Sequence, residues 1–278
     1  MPELPEVETV ARSLAPQLQG RTITGLAKLD WPKMLTPSPD EFAALIAGRR
    51  IEAIGRRAKW LLLSLDGEWT LAIHLRMSGQ LLVAEPETSE ARHVHFALDL
   101  DNGRRLIFND QRKFGRVHLL DRQGLAALDA VHGPEPLAAD FTPSALAERL
   151  QNRRAPIKAL LLDQHLIAGI GNIYANEALW LARIHPLTPG AMLTPEQINE
   201  LHHAIRHVLQ EAITNQGSSL RNYRDGYGRQ GTQQEHFNVY DRAGEPCPRC
   251  QSTIERIVVA QRSTYFCPTC QITMQQPE

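Results

Sequence analysis

Gly133-Pro134-Glu135-Pro136 divides the chain into two stretches of different texture. Two prolines and a glycine in four residues suit neither a helix interior nor a central strand, so they read as a linker. Upstream, residues 50–54, 60–65, 70–75, 93–100 and 105–108 read as strands. Asp66-Gly67 and Asn102-Gly103 fall between such runs as hairpin turns. Ahead of them, Val7, Val10, Ala11, Leu14 and Leu18 form an apolar stripe at helical spacing. Pro5 suits the first turn of that helix, and Glu6 and Glu8 favour the positive end of its dipole. Downstream, helical signals take over. Thr142-Pro143 and Thr194-Pro195 place a capping residue before a proline, and Thr194 with Gln197 fits a capping box. Helices are predicted over 157–164, 173–184 and 196–214, and a flexible loop over 217–231. Strands followed by helices argue α+β halves rather than an alternating α/β fold.

The chain has 278 residues, 42% hydrophobic and 22% charged, with 18 Gly and 18 Pro. Those proportions exclude collagen-like, coiled-coil and largely disordered classes, and the length suggests about two domains. No apolar run approaches the roughly 18 residues of a membrane span. The start, Met1-Pro2-Glu3-Leu4-Pro5-Glu6, lacks the basic and apolar segments of a signal peptide, so a cytoplasmic location away from membranes is expected. Lys and Arg total 30 against 31 Asp and Glu, a net charge of −1. Bulk charge therefore announces no nucleic-acid partner, and only local clusters can argue for one.

All four cysteines lie near the end, as Cys247-x2-Cys250, a 16-residue spacer and Cys267-x2-Cys270. Two residues between thiolates let both sulfurs face one ion, and the spacer suits a β-hairpin that returns the second pair to the first. Four thiolates fill a tetrahedral shell and leave no open position, so one structural Zn²⁺ is expected. A pair of disulfides or four unrelated thiols are the other readings, and a reducing compartment disfavours the disulfides. Such a small terminal module needs the metal to stay folded.

Pro2 raises a second chemistry. An initiator methionine followed by a residue as small as proline is usually removed, which leaves a free secondary amine. Such an amine has a reference pKa of about 7.7–8.0, so roughly a quarter is neutral and nucleophilic at cellular pH. Attack on a sugar carbon gives an iminium ion that cannot lose a proton from nitrogen and remains an electron sink. Glu3 and Glu6 supply nearby carboxylates for proton transfer. The same residues also fit an ordinary capped helix start with exposed acids.

Seven further landmarks occur in order: residues 1–9, Arg57-Ala58-Lys59, residues 74–79, residues 110–115, residues 133–137, residues 169–174 and Gln261-Arg262-Ser263-Thr264. With the cysteines they span nearly the whole chain, which in this respect resembles the bacterial formamidopyrimidine-DNA glycosylases. The resemblance implies a two-domain α+β protein. An N-terminal antiparallel β-sandwich with an N-terminal helix (1–133) precedes a helical domain with a helix–two-turn–helix motif (134–231) and a four-cysteine zinc-finger β-hairpin (232–278). It implies a monomer that removes 8-oxoguanine and formamidopyrimidines from duplex DNA, acts also on abasic sites, and cuts by β,δ-elimination through a Schiff base on Pro2.

Site residues follow from the same resemblance. Glu3 protonates the opening sugar and shuttles protons, Glu6 shapes the site, and Lys59 lies near the phosphate and the leaving base. A lesion inside a duplex is out of reach, so the nucleotide is flipped out and the hole filled. Met77, Arg112 and Phe114 match the inserted triad: two apolar wedges, and an arginine able to bond the orphaned cytosine. Gln111 stands where many relatives carry Pro, and Lys113 where some carry Arg, changes that bear on loop stiffness. Asn172 follows a Gly169-x-Gly171 turn at a predicted helix start, which suits an anion. Arg262 matches a phosphate-clamping arginine, and His74, His93, Arg153 and Lys158 match further backbone contacts. Ser218, Arg221, Asn222 and Tyr223 resemble a loop that closes over the extruded base, or form a plain connector. Arg56-Arg57-Lys59, Arg112-Lys113-Arg116 and Arg153-Arg154-Lys158 read as pieces of one basic cleft.

Two alternatives stay open. Endonuclease VIII, which prefers oxidised pyrimidines, carries Gly where this chain has Leu4 and lacks the full Arg112/Phe114 motif. A zinc-finger DNA-binding protein without chemistry would have no reason to keep Pro2, Glu3, Glu6 and Lys59 together.

Overall fold

A computed structural model of the chain describes residues 1–220 and 222–272. The chain divides into two compact units, one of residues 1–130 with 213–234, the other of residues 131–212 with 235–278.

The first unit runs α1 (Leu4–Leu18), β1 (Ile23–Leu29), β2 (Leu35–Thr36), α2 (Pro39–Ile46), β3 (Ile51–Arg57), β4 (Trp60–Leu65), β5 (Trp69–His74), β6 (Gly79–Ala84), β7 (Val94–Leu100), β8 (Arg105–Asp110), β9 (Arg116–Leu120) and α3 (Arg122–Ala130). Its strands form two sheets, ordered β1-β7-β8-β6 and β2-β9-β5-β4-β3, antiparallel apart from the short β2–β9 pair. Leu61, Leu63, Leu71 and Ile73 of the second sheet and Phe96, Leu98, Leu106 and Phe108 of the first meet in one core with Val7, Val10, Leu14 and Leu18 of α1. The expected stripe is therefore the buried face of α1. The expected strands are present, with β8 running on to Asp110. The sequence reading did not resolve β1, β2, β6 or β9, nor α2 and α3. Ser38-Pro39-Asp40-Glu41 is a helix-start signal that would have found α2, because acids in the first turn and a proline there favour initiation.

The second unit holds α4 (Pro143–Leu150), α5 (Ile157–Leu162), α6 (Asn172–Leu181), the greater part of α7 (Pro195–Thr214), and a hairpin of β10 (Glu255–Val259) and β11 (Arg262–Phe266). Both caps form as predicted. The Thr142 side chain accepts from the Ala145 amide, while Thr194 and Gln197 exchange side-chain-to-amide bonds of 3.0 and 3.2 Å. Helix α5 stops at Leu162 and α6 at Leu181, each shorter than expected, because the Asp163 and Ala182 amides close the last turns. Between them lie two turns organised by Gln164, whose amide donates to the Leu162 and Ile170 carbonyls and whose oxygen accepts from Gly169.

Candidate active site and nucleic-acid interface

Helix α1 begins with a capping box. The Glu3 amide donates to Glu6 Oε2 at 2.8 Å, and the Glu3 side chain accepts from the Glu6 amide. The other Glu6 oxygen accepts from the Ser218 amide at 2.8 Å. Both Glu6 oxygens thus serve backbone amides, a shaping role. Pro2, Glu3 and Glu6 are buried.

Lys59, also buried, occupies the two-residue turn that Arg57 and Trp60 close between β3 and β4, with Ala58 left-handed at φ 52°. Arg56 Nε donates to Glu8 on α1 at 3.0 Å, and Arg56 Nη1 donates to the Ala58 carbonyl at 3.4 Å. This chain of contacts holds the first turns of α1 to the Lys59 turn. Arg57 pairs with Asp129. Two cations of the expected 56–59 cluster are therefore paired with carboxylates within their own unit.

Met77, Arg112 and Phe114 come together on two neighbouring turns, β5–β6 and β8–β9. Arg112 Nη1 lies 3.3 Å from Met77 Sδ, and its guanidinium 4.7 Å from the Phe114 ring centroid. Met77 is 42% and Phe114 44% exposed, so neither is a core residue. Buried Asp110 fastens both turns. One oxygen accepts from the Ser78 hydroxyl at 2.5 Å and the Arg112 amide at 3.2 Å, the other from the Gly115 amide at 2.8 Å. A Cβ on Gly79 would lie 2.6 Å from the Phe108 ring, and one on Gly115 2.3 Å from it, so both turns seat on one buried aromatic. His74 Nδ1 accepts from the Arg76 amide at 3.0 Å, and the His93 carbonyl accepts from the Asp110 amide at 2.8 Å. Both histidines therefore sit at the roots of these turns.

The stretch expected as a flexible loop is laced to α1. Gly217, at φ +76°, brings its backbone against Glu6, where a Cβ would stand 3.0 Å from the Glu6 side chain. Ser218 is buried, Asn222 is exposed, and Arg221 lies outside the described residues. Tyr223 joins the core, and burial pushes its phenol pKa well above the usual value. The Gly226 amide donates to Ser13 Oγ at 2.7 Å.

In the second unit, Gly171 caps α6, and Asn172 Nδ2 donates to the Ser263 carbonyl at 2.9 Å, beside Arg262. Lys158, expected among the backbone contacts, is fully buried, with its ammonium donating to the Asn172 carbonyl at 3.0 Å. Arg153 and Arg262 are exposed. Arg262 follows a tight turn in which Ala260 (φ 48°) and Gln261 (φ 59°) are both left-handed, as a two-residue hairpin loop requires. That hairpin spans the interval between the two cysteine pairs. The four sulfurs lie within 4.8 Å of one another and form no disulfide. Zn–S bonds of about 2.3 Å give tetrahedral edges of about 3.8 Å, and the Cys250–Cys267 and Cys247–Cys270 separations of 3.4 and 4.0 Å bracket that value. Hydrogen bonding from Ser252 pulls the Cys250 thiol down to about 6, while burial pushes Cys270 up to about 12. The donor set fits a thiophilic metal ion.

Three family descriptions match in order: the formamidopyrimidine-DNA glycosylase N-terminal domain over residues 1–117, the H2TH domain of the same enzymes over 132–224, and a zinc finger found in FPG and IleRS over 244–272. The formamidopyrimidine-DNA glycosylase of Chloroflexus aggregans is 81% identical over 275 residues, 99% of this chain and 100% of that one. The chain belongs to the formamidopyrimidine-DNA glycosylase family. The Roseiflexus enzyme of that name is 58% identical over 98% of this chain and 100% of its own. Among solved structures, Lactococcus lactis Fpg with abasic-site DNA superposes at a TM-score of 0.91 with 37% identity, covering 98% of this chain and 100% of that one. The same enzyme with N7-benzyl-Fapy-dG DNA gives 0.91 at 37%, with equal coverage.

Membership makes this a DNA-repair glycosylase with a structural metal site in a zinc finger. Among the described residues no helix is long and apolar enough to cross a membrane. Sequence reasoning missed three organising side chains. Asp110 locks the turns that carry Met77, Arg112 and Phe114, and Gln164 sets the two turns before α6. Buried Glu177 accepts from the Asn238, Val239 and Tyr240 amides and so orders the approach to the finger. The Asp-Gln-Arg-Lys-Phe-Gly string contained the signal for Asp110, because a loop acid followed by amides two and five residues on is a natural turn acceptor.

Proposed function

We propose that the mature chain is a bifunctional glycosylase and abasic-site lyase for oxidised purines, 8-oxoguanine and formamidopyrimidines, in duplex DNA. Removal of Met1 frees the Pro2 nitrogen. The neutral amine attacks C1′ of an everted nucleotide, the C1′–N bond breaks as its electron pair leaves with the base, and the proton lost from the Pro2 nitrogen neutralises the departing base. Glu3 gives a proton to the opening sugar and takes one back as the iminium drives elimination first at the 3′ phosphate and then at the 5′ phosphate. Glu6, which accepts from the Glu3 and Ser218 amides, holds the helix start and the 217–225 segment in register. Lys59 sets a positive charge at the reacting phosphate. Met77 and Phe114 fill the vacated stack, and Arg112 bonds the unpaired cytosine.

Asn172, Arg262 and Arg153 hold phosphates, with His74 and His93 supporting them, and the buried Lys158 adds its charge from beneath the start of α6. Ser218, Arg221, Asn222 and Tyr223 line the segment that meets the extruded base. One Zn²⁺ on Cys247, Cys250, Cys267 and Cys270 leaves no open position and serves folding alone.

The observation that carries this reading is the start of α1, where buried Pro2 adjoins Glu3 and the Glu6 carboxylate holds the Glu3 and Ser218 amides. Borohydride reduction during reaction with an 8-oxoguanine:cytosine duplex tests it. A covalent protein–DNA adduct is expected; none would leave only a binding protein.

A further inference from the structure

The metal-binding sulfurs have a neighbour outside the finger. Trp180, on α6, is 7% exposed, and its indole Nε1–H points at Cys247 Sγ from 3.4 Å. Arg249, inside the first cysteine pair, stacks on the same indole with its guanidinium 4.1 Å from the ring centroid. It also donates to the carbonyls of Trp180 at 3.1 Å and Leu181 at 3.4 Å. The helix thus grips a ligand sulfur while the ligand loop grips the end of the helix.

Eight residues earlier on α6, Asn172 Nδ2 reaches the Ser263 carbonyl, and between them Asn176 Oδ1 accepts from the Tyr265 amide at 3.2 Å. Positions 172, 176 and 180 recur every four residues, so one flank of α6 touches β11 at its start and the metal centre at its end.

We propose that Trp180 is a positioning residue for the metal centre: its N–H bonds the Cys247 thiolate, and α6 carries that constraint to Asn172 and the strand bearing Arg262. An indole N–H is a donor only, and a donor aimed at a metal-binding sulfur fixes the direction of that sulfur and draws on its negative charge. Partners of this kind typically tune metal affinity by about 10–100-fold. The bond to the sulfur stands on the metal site alone; its consequence for DNA rests on the function proposed above.

The full-length protein loaded with cadmium-113 decides the matter by NMR. The Trp180 indole proton is expected to correlate with cadmium through the shared sulfur, and absence of that correlation overturns the proposal. Trp180→Phe keeps the ring for Arg249 but removes the donor. It is expected to release zinc to a competing chelator on the order of tenfold faster and to shift the sulfur-to-cobalt charge-transfer band of cobalt(II)-loaded protein. Unchanged release and an unchanged band overturn the proposal. Should the variant not fold, the wild-type cadmium spectrum decides by itself. These readouts need no DNA, so failure of the glycosylase reading leaves them intact, and their failure leaves borohydride trapping intact.

Discussion

Met77 and Phe114 project from turns seated on a closed β core, whereas Arg262 projects from a hairpin of two five-residue strands that ends at four sulfurs. The first pair is held by distributed means: an aromatic ring filled around by two glycines, and one carboxylate shared among a hydroxyl and two amides. The hairpin packs on a small cluster of Trp180, Val239, Ile254 and Tyr265 that includes the buried Cys247 and Cys267, so its core is continuous with the metal site and with one flank of a helix. Losses should therefore be graded in the first region and all-or-none in the second. The comparison also shows why an exposed contact residue is best understood from what lies under it.

The largest effect is expected at the metal. Cys267→Ser removes a ligand that is fully buried, and because metal binding supplies the folding free energy of so small a module, zinc and DNA affinity should be lost together. Zinc content and duplex affinity check this, and normal binding without metal would break the contrast. Next comes Gly115→Ala, which places a methyl group 2.3 Å from the Phe108 ring. A cost of about 3 kcal/mol is expected because the ring is enclosed. The first unit's unfolding transition should fall while zinc is retained. Smallest is Arg112→Ala, expected to leave stability nearly unchanged and reduce the preference for cytosine opposite the lesion by about 2 kcal/mol, or roughly thirtyfold. Cleavage measured against all four opposing bases reads it, and an undiminished preference would remove Arg112 from that role.

Much of this architecture was legible where the governing forces are local. The stripe of α1, the Asp66-Gly67 and Asn102-Gly103 turns and both threonine caps depend on neighbours within a few residues, and each forms as read. The cysteine spacing gave the finger for the same reason. Elements that depend on distant partners were harder. Strand β1 is irregular, with register shifts against β7 at Ile23/Gly25 and Leu26/Lys28, so its alternation is blurred. Asp110, Glu177 and Lys158 are charged residues buried by their partners, and Glu177 finds its amides more than 60 positions along the chain. No periodicity marks such residues. The exposed triad was legible through family resemblance, while the ring and carboxylate that hold it were not. The described residues of 217–231 form no helix or strand, in keeping with the loop reading, and composition did not show that Gly217 permits a close approach to Glu6.

The central claim is that chemistry resides in the Pro2 nitrogen, and peptide mapping of the borohydride-trapped adduct by mass spectrometry tests it most directly. The account predicts a reduced sugar remnant on the Pro2 nitrogen of a chain that has lost Met1. A remnant on a lysine such as Lys59, or on a chain still carrying Met1, would contradict it.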